Sequence, residues 1–181
     1  MTDNTDFRFD GGATWLNLLA TRGQSFGSRP IERIATPEAA RQWLTQVGYP
    51  PSHALTATDR DELARLRETL RGLAMAVVAG AEAPTGGLSH VQSVAAAITH
   101  RAFTVAPERG VPVKESLGLI AIQALVTLSG PDRKLLKECA EADCRWVFLD
   151  TSGRRHWCPS PACASRGRVR AYRARIELRN P

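Results

Sequence analysis

Four cysteines, all between residues 139 and 163, constrain this chain more than any other feature. They read Cys139-x4-Cys144 and Cys158-x4-Cys163, with thirteen residues between the pairs. Two short loops that each carry two thiolates can close on one ion, and thiolates are soft donors suited to tetrahedral zinc. Two disulfides are the alternative use of four cysteines. Clustering in one stretch favours a metal, and so does a reducing compartment. The opening, MTDNTDFRFD, carries acids and no apolar run, so no secretory signal is read there. No stretch approaches the roughly 18 apolar residues of a membrane span. The expected location is the cytoplasm.

Four sulfurs complete a tetrahedral shell and leave no position for an activated water, so the expected zinc is structural, one per chain. The segment around it is too short to fold on its own core. Metal binding is expected to supply on the order of 10 kcal/mol of its folding free energy. His156 stands two residues before Cys158, but four thiolates suffice without it.

Charge is placed unevenly. Residues 1–130 hold 12 Lys/Arg against 12 Asp/Glu, whereas 131–181 hold 12 against 6. Within 151–181 there are eight arginines and a single acid, Glu177. A field so localised attracts polyanions. The candidate nucleic-acid contacts are Arg154, Arg155, Arg166, Arg168, Arg170, Arg173 and Arg175, because guanidinium groups bind phosphate bidentately and read guanine edges. Duplex DNA is the expected partner, which would place the protein at the nucleoid. A protein- or RNA-interaction module that uses zinc only as a staple is the alternative. Exposure of Trp146, Phe148 or Trp157 beside arginines would favour single strands.

With 43% hydrophobic residues the chain can bury a core. Thr14–Thr21 reads as a first helix and 22–35 as a loop. Thr36-Pro37-Glu38 is a helix start that should run to Gly48, before Pro50-Pro51. A long helix from Asp59 to about Ala79, capped by Thr58, carries a stripe of Leu63, Leu66, Leu70, Leu73, Ala74 and Val77, with Arg60, Arg67 and Arg71 on the other side. Leu88–Ala97 and Ser116–Leu128 read as helices. Phe103–Ala106 and Val111–Val113 read as a short hairpin. Asp132 should start a short helix leading to Cys139. Trp146–Asp150 and Arg154–Cys158 should pair as strands around Thr151-Ser152-Gly153, and a last helix should run from about Ala162 to Leu178. On that helix Ser165, Val169, Tyr172 and Ile176 share one face, expected to be packed. The fold class is thus mainly α with a small β-hairpin: a multihelical N-terminal domain, 1–130, and a four-cysteine zinc finger of hairpin and helix, 131–181.

The run Cys139-x4-Cys144-Arg-Trp-Val-Phe-Leu-Asp-x-Ser152-x3-His156-Trp157-Cys158-x4-Cys163-x2-Arg166 resembles the CGNR zinc finger over about residues 132–175. The family's name tetrad stands here as Cys163-Ala164-Ser165-Arg166, with its Gly and Asn replaced. In that family the finger follows a helical domain called ABATE, and Trp15–Thr21 resembles that domain's opening. The resemblance implies a bacterial, stress-induced transcription regulator in which a DNA-binding finger is joined to a domain that senses a ligand.

Asn17, Thr21 and Arg22, polar residues in or beside an apolar first helix, are the candidate contacts of a small-molecule effector; simple exposure at a helix end is the other reading. Self-association of the helical domain is a further expectation. HExxH, GxGxxG, P-loop and GxSxG motifs are absent, and His53, His90 and His100 are scattered. A non-enzyme is expected.

Overall fold

The computed structural model describes residues 6–98 and 110–177. The first helix, α1 (Thr14–Leu19), buries Trp15, Leu16, Leu18 and Leu19 completely. A helix apolar on all sides has to sit inside the fold. It lies against α3 (Ala57–Ala79) and α5 (Val113–Ser129). Helix α2 (Pro37–Gln46) packs on α3, and α4 (Gly87–Ala95) on both α3 and α5. The loop expected over 22–35 contains a two-residue ladder, β1 (Arg22–Gly23) antiparallel to β2 (Ile31–Glu32).

Local chemistry explains the helix starts. Thr36 accepts a hydrogen bond from the Ala39 amide, and Pro37 occupies the first turn, where its missing N–H costs nothing. For α3 the cap is Thr56 and not Thr58. The Thr56 hydroxyl accepts from the Asp59 amide while Asp59 accepts from the Thr56 amide, a reciprocal box that Thr58 cannot form. Arg67 and Arg71, expected on the solvent side, are buried. Arg67 donates to both oxygens of Glu32, at 2.7 and 2.6 Å, and to Thr21 Oγ1 at 3.0 Å. Arg71 donates to the Leu19 carbonyl at 2.8 Å, satisfying an acceptor that the end of α1 leaves open.

Phe103–Ala106 of the expected hairpin, and His100, lie outside the described residues. Its other arm is not a strand of a hairpin: Val111 makes an isolated parallel bridge to Pro51, and Val113 already begins α5.

After α5 the chain makes a 3₁₀ turn (Pro131–Leu135), not the expected helix, and enters β3 (Leu136–Glu138). Strand β3 pairs antiparallel with β4 (Val147–Leu149), so the hairpin closes across the first cysteine loop. Residues 154–158 form no strand. The reason is edge occupancy. One edge of β4 bonds to β3, and on the other the Leu149 amide donates to the Gly11 carbonyl at 3.0 Å. A backbone donor of this arm is diverted as well: the Asp150 carboxylate accepts the Arg155 amide at 2.8 Å, and it also accepts the amide and hydroxyl of Ser152. Helix α6 (Pro161–Glu177) ends the described chain.

The cysteine region and the helices share one apolar cluster, which runs from Trp15 and Leu66 through Leu136, Trp146 and Phe148 to the cysteines. Trp146 Nε1 donates to the Leu16 carbonyl at 2.9 Å. Gly11 permits that approach, since a Cβ there would lie 2.7 Å from the Trp146 ring. The Phe26 amide donates to the Asp143 carbonyl at 3.0 Å, bringing the loop before β2 onto the first cysteine loop.

Candidate metal centre and basic surface

The first cysteine pair is presented by the β3–β4 loop. The Cys139 amide donates to the Trp146 carbonyl at 2.9 Å, and the Cys144 and Arg145 amides both fold back on the Glu141 carbonyl. Arg145 adopts a left-handed φ of 46°, which turns the chain sharply after Cys144. The second pair flanks the start of α6: the Cys163 amide donates to Ser160, and the Ala140 amide donates to His156 across the two loops. All four thiols are buried, and their sulfurs lie within 4.8 Å of one another. A zinc tetrahedron with bonds of about 2.3 Å needs sulfurs about 3.8 Å apart, so the donor set fits. No disulfide joins the four cysteines. Hydrogen bonding to Cys144 holds the Cys139 thiol below its ordinary range. His156 is solvent-exposed and stacks edge-on to Trp157, away from any ligand role.

Two arginines face the sulfurs. Arg8 lies 3.7 Å from Cys158 Sγ, pairs with Asp10 at 2.6 Å and sits over the Trp146 ring at 4.5 Å. Arg166 lies 3.5 Å from Cys163 Sγ. Four thiolates around Zn²⁺ carry a net double negative charge, which these two cations oppose.

The expected nucleic-acid residues divide into two groups. Arg166 and Arg170 are tied by ion pairs to the first cysteine loop. Glu141, with a fully buried side chain, lies 3.0 Å from Arg170 and 3.6 Å from Arg166, and Arg170 also meets Asp143 at 2.6 Å. Both acids belong to the first cysteine loop, so these arginines clasp α6 to it. By contrast, Arg154, Arg155, Arg168, Arg173 and Arg175 are exposed, with no acidic partner among the described residues. Arg168 does fold one guanidinium nitrogen back to the Ala164 carbonyl at 3.1 Å.

The face of α6 expected to pack is instead exposed. Val169, Tyr172 and Ile176 show 46%, 63% and 42% of their surface, and Ser165 is exposed beside them. The buried side carries Cys163 and Gly167, where Trp157 lies so close that an added Cβ would meet its indole nitrogen. Trp146 and Phe148 are core, and Trp157 is half-buried under α6. None of the three is an open stacking platform.

The candidate effector residues are also separated. Asn17 Oδ1 accepts the Gly11 amide at 2.9 Å, and Thr21 is bound between the Leu18 carbonyl and Arg67. Both side chains serve the fold's own hydrogen bonding. Arg22 alone of the three lines a cavity of about 280 Å³, between the N-terminal segment and the start of α6.

A helical domain fused to a closed four-thiolate finger defines a structural zinc protein, and the comparisons agree with that class. The profile of the CGNR zinc finger matches residues 135–176. The profile of the ABATE family, described as "Putative stress-induced transcription regulator", matches residues 12–131, and the chain belongs to that family. No curated protein sequence matches it. Its four cysteines hold one structural zinc ion. No helix among the described residues is long and apolar enough to cross a membrane.

Proposed function

We propose that this protein regulates transcription in the bacterial cytoplasm by binding duplex DNA through its zinc finger, with residues 1–130 as a sensing or self-association domain and 131–181 as the binding domain. The role is regulatory and not catalytic. The observation that carries this reading is the division among the arginines: two are spent on holding α6, and five are exposed with no acidic partner among the described residues. Unpaired guanidinium groups on a rigid, metal-stapled support are what phosphate contacts require. Zinc is the scaffold that fixes their spacing. The effector, a small molecule, would act through the helical domain, and the shared apolar cluster offers a mechanical route to the finger.

Fluorescence anisotropy with a labelled random-sequence duplex tests the reading. The zinc-loaded chain should bind, and alanine at Arg154, Arg155, Arg168, Arg173 and Arg175 together should weaken binding at least about 100-fold, by removing up to five counterion-releasing contacts. Unchanged affinity with circular dichroism and zinc content intact would overturn it. Preference for RNA or an acidic protein over duplex DNA would support the interaction-module alternative.

A further inference from the structure

Helix α6 has a held side and an outward side, and the outward side has a specific pattern. Val169, Tyr172 and Ile176 follow three- and four-residue steps, so they form one exposed apolar stripe. Written as a heptad seam, Val169 and Ile176 take the first position and Tyr172 the fourth. Every flanking position is then arginine: Arg166 and Arg173 on one side, Arg168 and Arg175 on the other. This excludes the simplest cover for an apolar stripe, a second α6. Pairing two such helices would set arginine against arginine along both edges. The stripe requires an occupant with apolar groups at its centre and negative charge along both rims.

A duplex major groove has that cross-section. It is about 12 Å wide and admits a helix of about 10–12 Å, with phosphates on both walls and thymine methyl groups on the floor. We infer that α6 lies in the major groove with Val169, Tyr172 and Ile176 against thymine methyls and with Arg168, Arg173 and Arg175 on the phosphate walls. Arg166 and Arg170, held by Glu141 and Asp143, set the rotation of the helix and so decide that the apolar stripe faces outward. This inference rests on the duplex binding proposed above and adds how sequence is read.

The test is binding to paired duplexes of the same A·T-rich sequence, one with thymine and one with uracil throughout, which removes only the C5-methyl groups. Each covered methyl contributes about 4-fold. Two or three covered methyls predict about 15- to 60-fold weaker binding of the uracil duplex by the full-length, zinc-loaded chain. The variant Val169→Ala/Tyr172→Ala/Ile176→Ala, altered only at exposed side chains, should keep its fold and bind both duplexes alike. Equal binding of the two duplexes by the native chain overturns the inference while leaving the proposed function standing. So does a thymine preference that survives in the triple variant, or tighter binding to single-stranded oligothymidine, which would assign Tyr172 to stacking. Failure of the native chain to bind either duplex, at low salt and with zinc bound, removes the proposed function itself.

Discussion

Replacing Arg166 and Arg170 by alanine should damage the finger and not merely its contacts with a partner. The two guanidinium groups neutralise Glu141, whose side chain is fully buried, whereas they are themselves 38% and 50% exposed. Stranding a buried charge costs about 3–5 kcal/mol when both partners are inside. Here the arginine ends are partly in water and the pairs are screened, so about 2 kcal/mol is the working figure. For a chain of this length that corresponds to a fall in Tm of about 4–8 °C. Zinc binding and folding of the module are linked, so the same loss should weaken apparent zinc affinity about 30-fold. Thermal melts followed by far-ultraviolet circular dichroism, together with zinc competition against a chromophoric chelator, measure both. Adding Glu141→Gln to the double variant removes the stranded charge and should recover part of the loss, a coupling that a thermodynamic cycle reads directly. Arg168→Ala/Arg175→Ala is the control and should cost less than about 0.5 kcal/mol. A clasp-less variant that melts within about 1 °C of the native chain and holds zinc equally would refute the assignment of Arg166 and Arg170 to the fold.

Three other outcomes are expected. Zinc removal by a strong chelator should release α6 and the β3–β4 hairpin and change the near-ultraviolet signal of Trp146 and Trp157, and zinc should restore both; a finger that keeps its dichroism without metal would contradict the structural role. Thr56→Ala should cost about 1 kcal/mol in a urea melt and Thr58→Ala close to nothing, because only Thr56 joins the Asp59 capping box. Arg67→Met should cost about 3 kcal/mol, since it leaves buried Thr21 and half-exposed Glu32 without their shared donor; a loss below about 1 kcal/mol would show that the network is dispensable.

The metal site was legible because ligand spacing is a local property. Cys139, Cys144, Cys158 and Cys163 need only two short loops to meet. Helix starts with their own chemistry were legible too, as at Thr36-Pro37. What sequence reading misplaced depends on neighbours distant in the chain. Strand β4 finds its partners in Leu136–Glu138 and at Gly11, and the arm after Thr151–Gly153 is left without an edge. Arg67 belongs inside because Glu32 and Thr21 come to meet it, and no periodicity along α3 records that. The stripe on α6 misled for the opposite reason: an apolar face is normally a packed face, yet here Gly167 marks the contact and Val169, Tyr172 and Ile176 face out. The clasp by Glu141 and Asp143 had a signal in sequence, two acids between the first pair of cysteines, but their targets were visible only in three dimensions.

The most direct measurement is the salt dependence of duplex binding by the zinc-loaded chain, with and without the five outward arginines. If Arg154, Arg155, Arg168, Arg173 and Arg175 contact phosphates, the logarithm of affinity should fall against the logarithm of salt with a slope of roughly −4.5, and the five-alanine variant should lose nearly all of that slope. A native slope near zero, or one unchanged by the substitutions, would contradict the claim that the zinc finger presents these arginines to DNA.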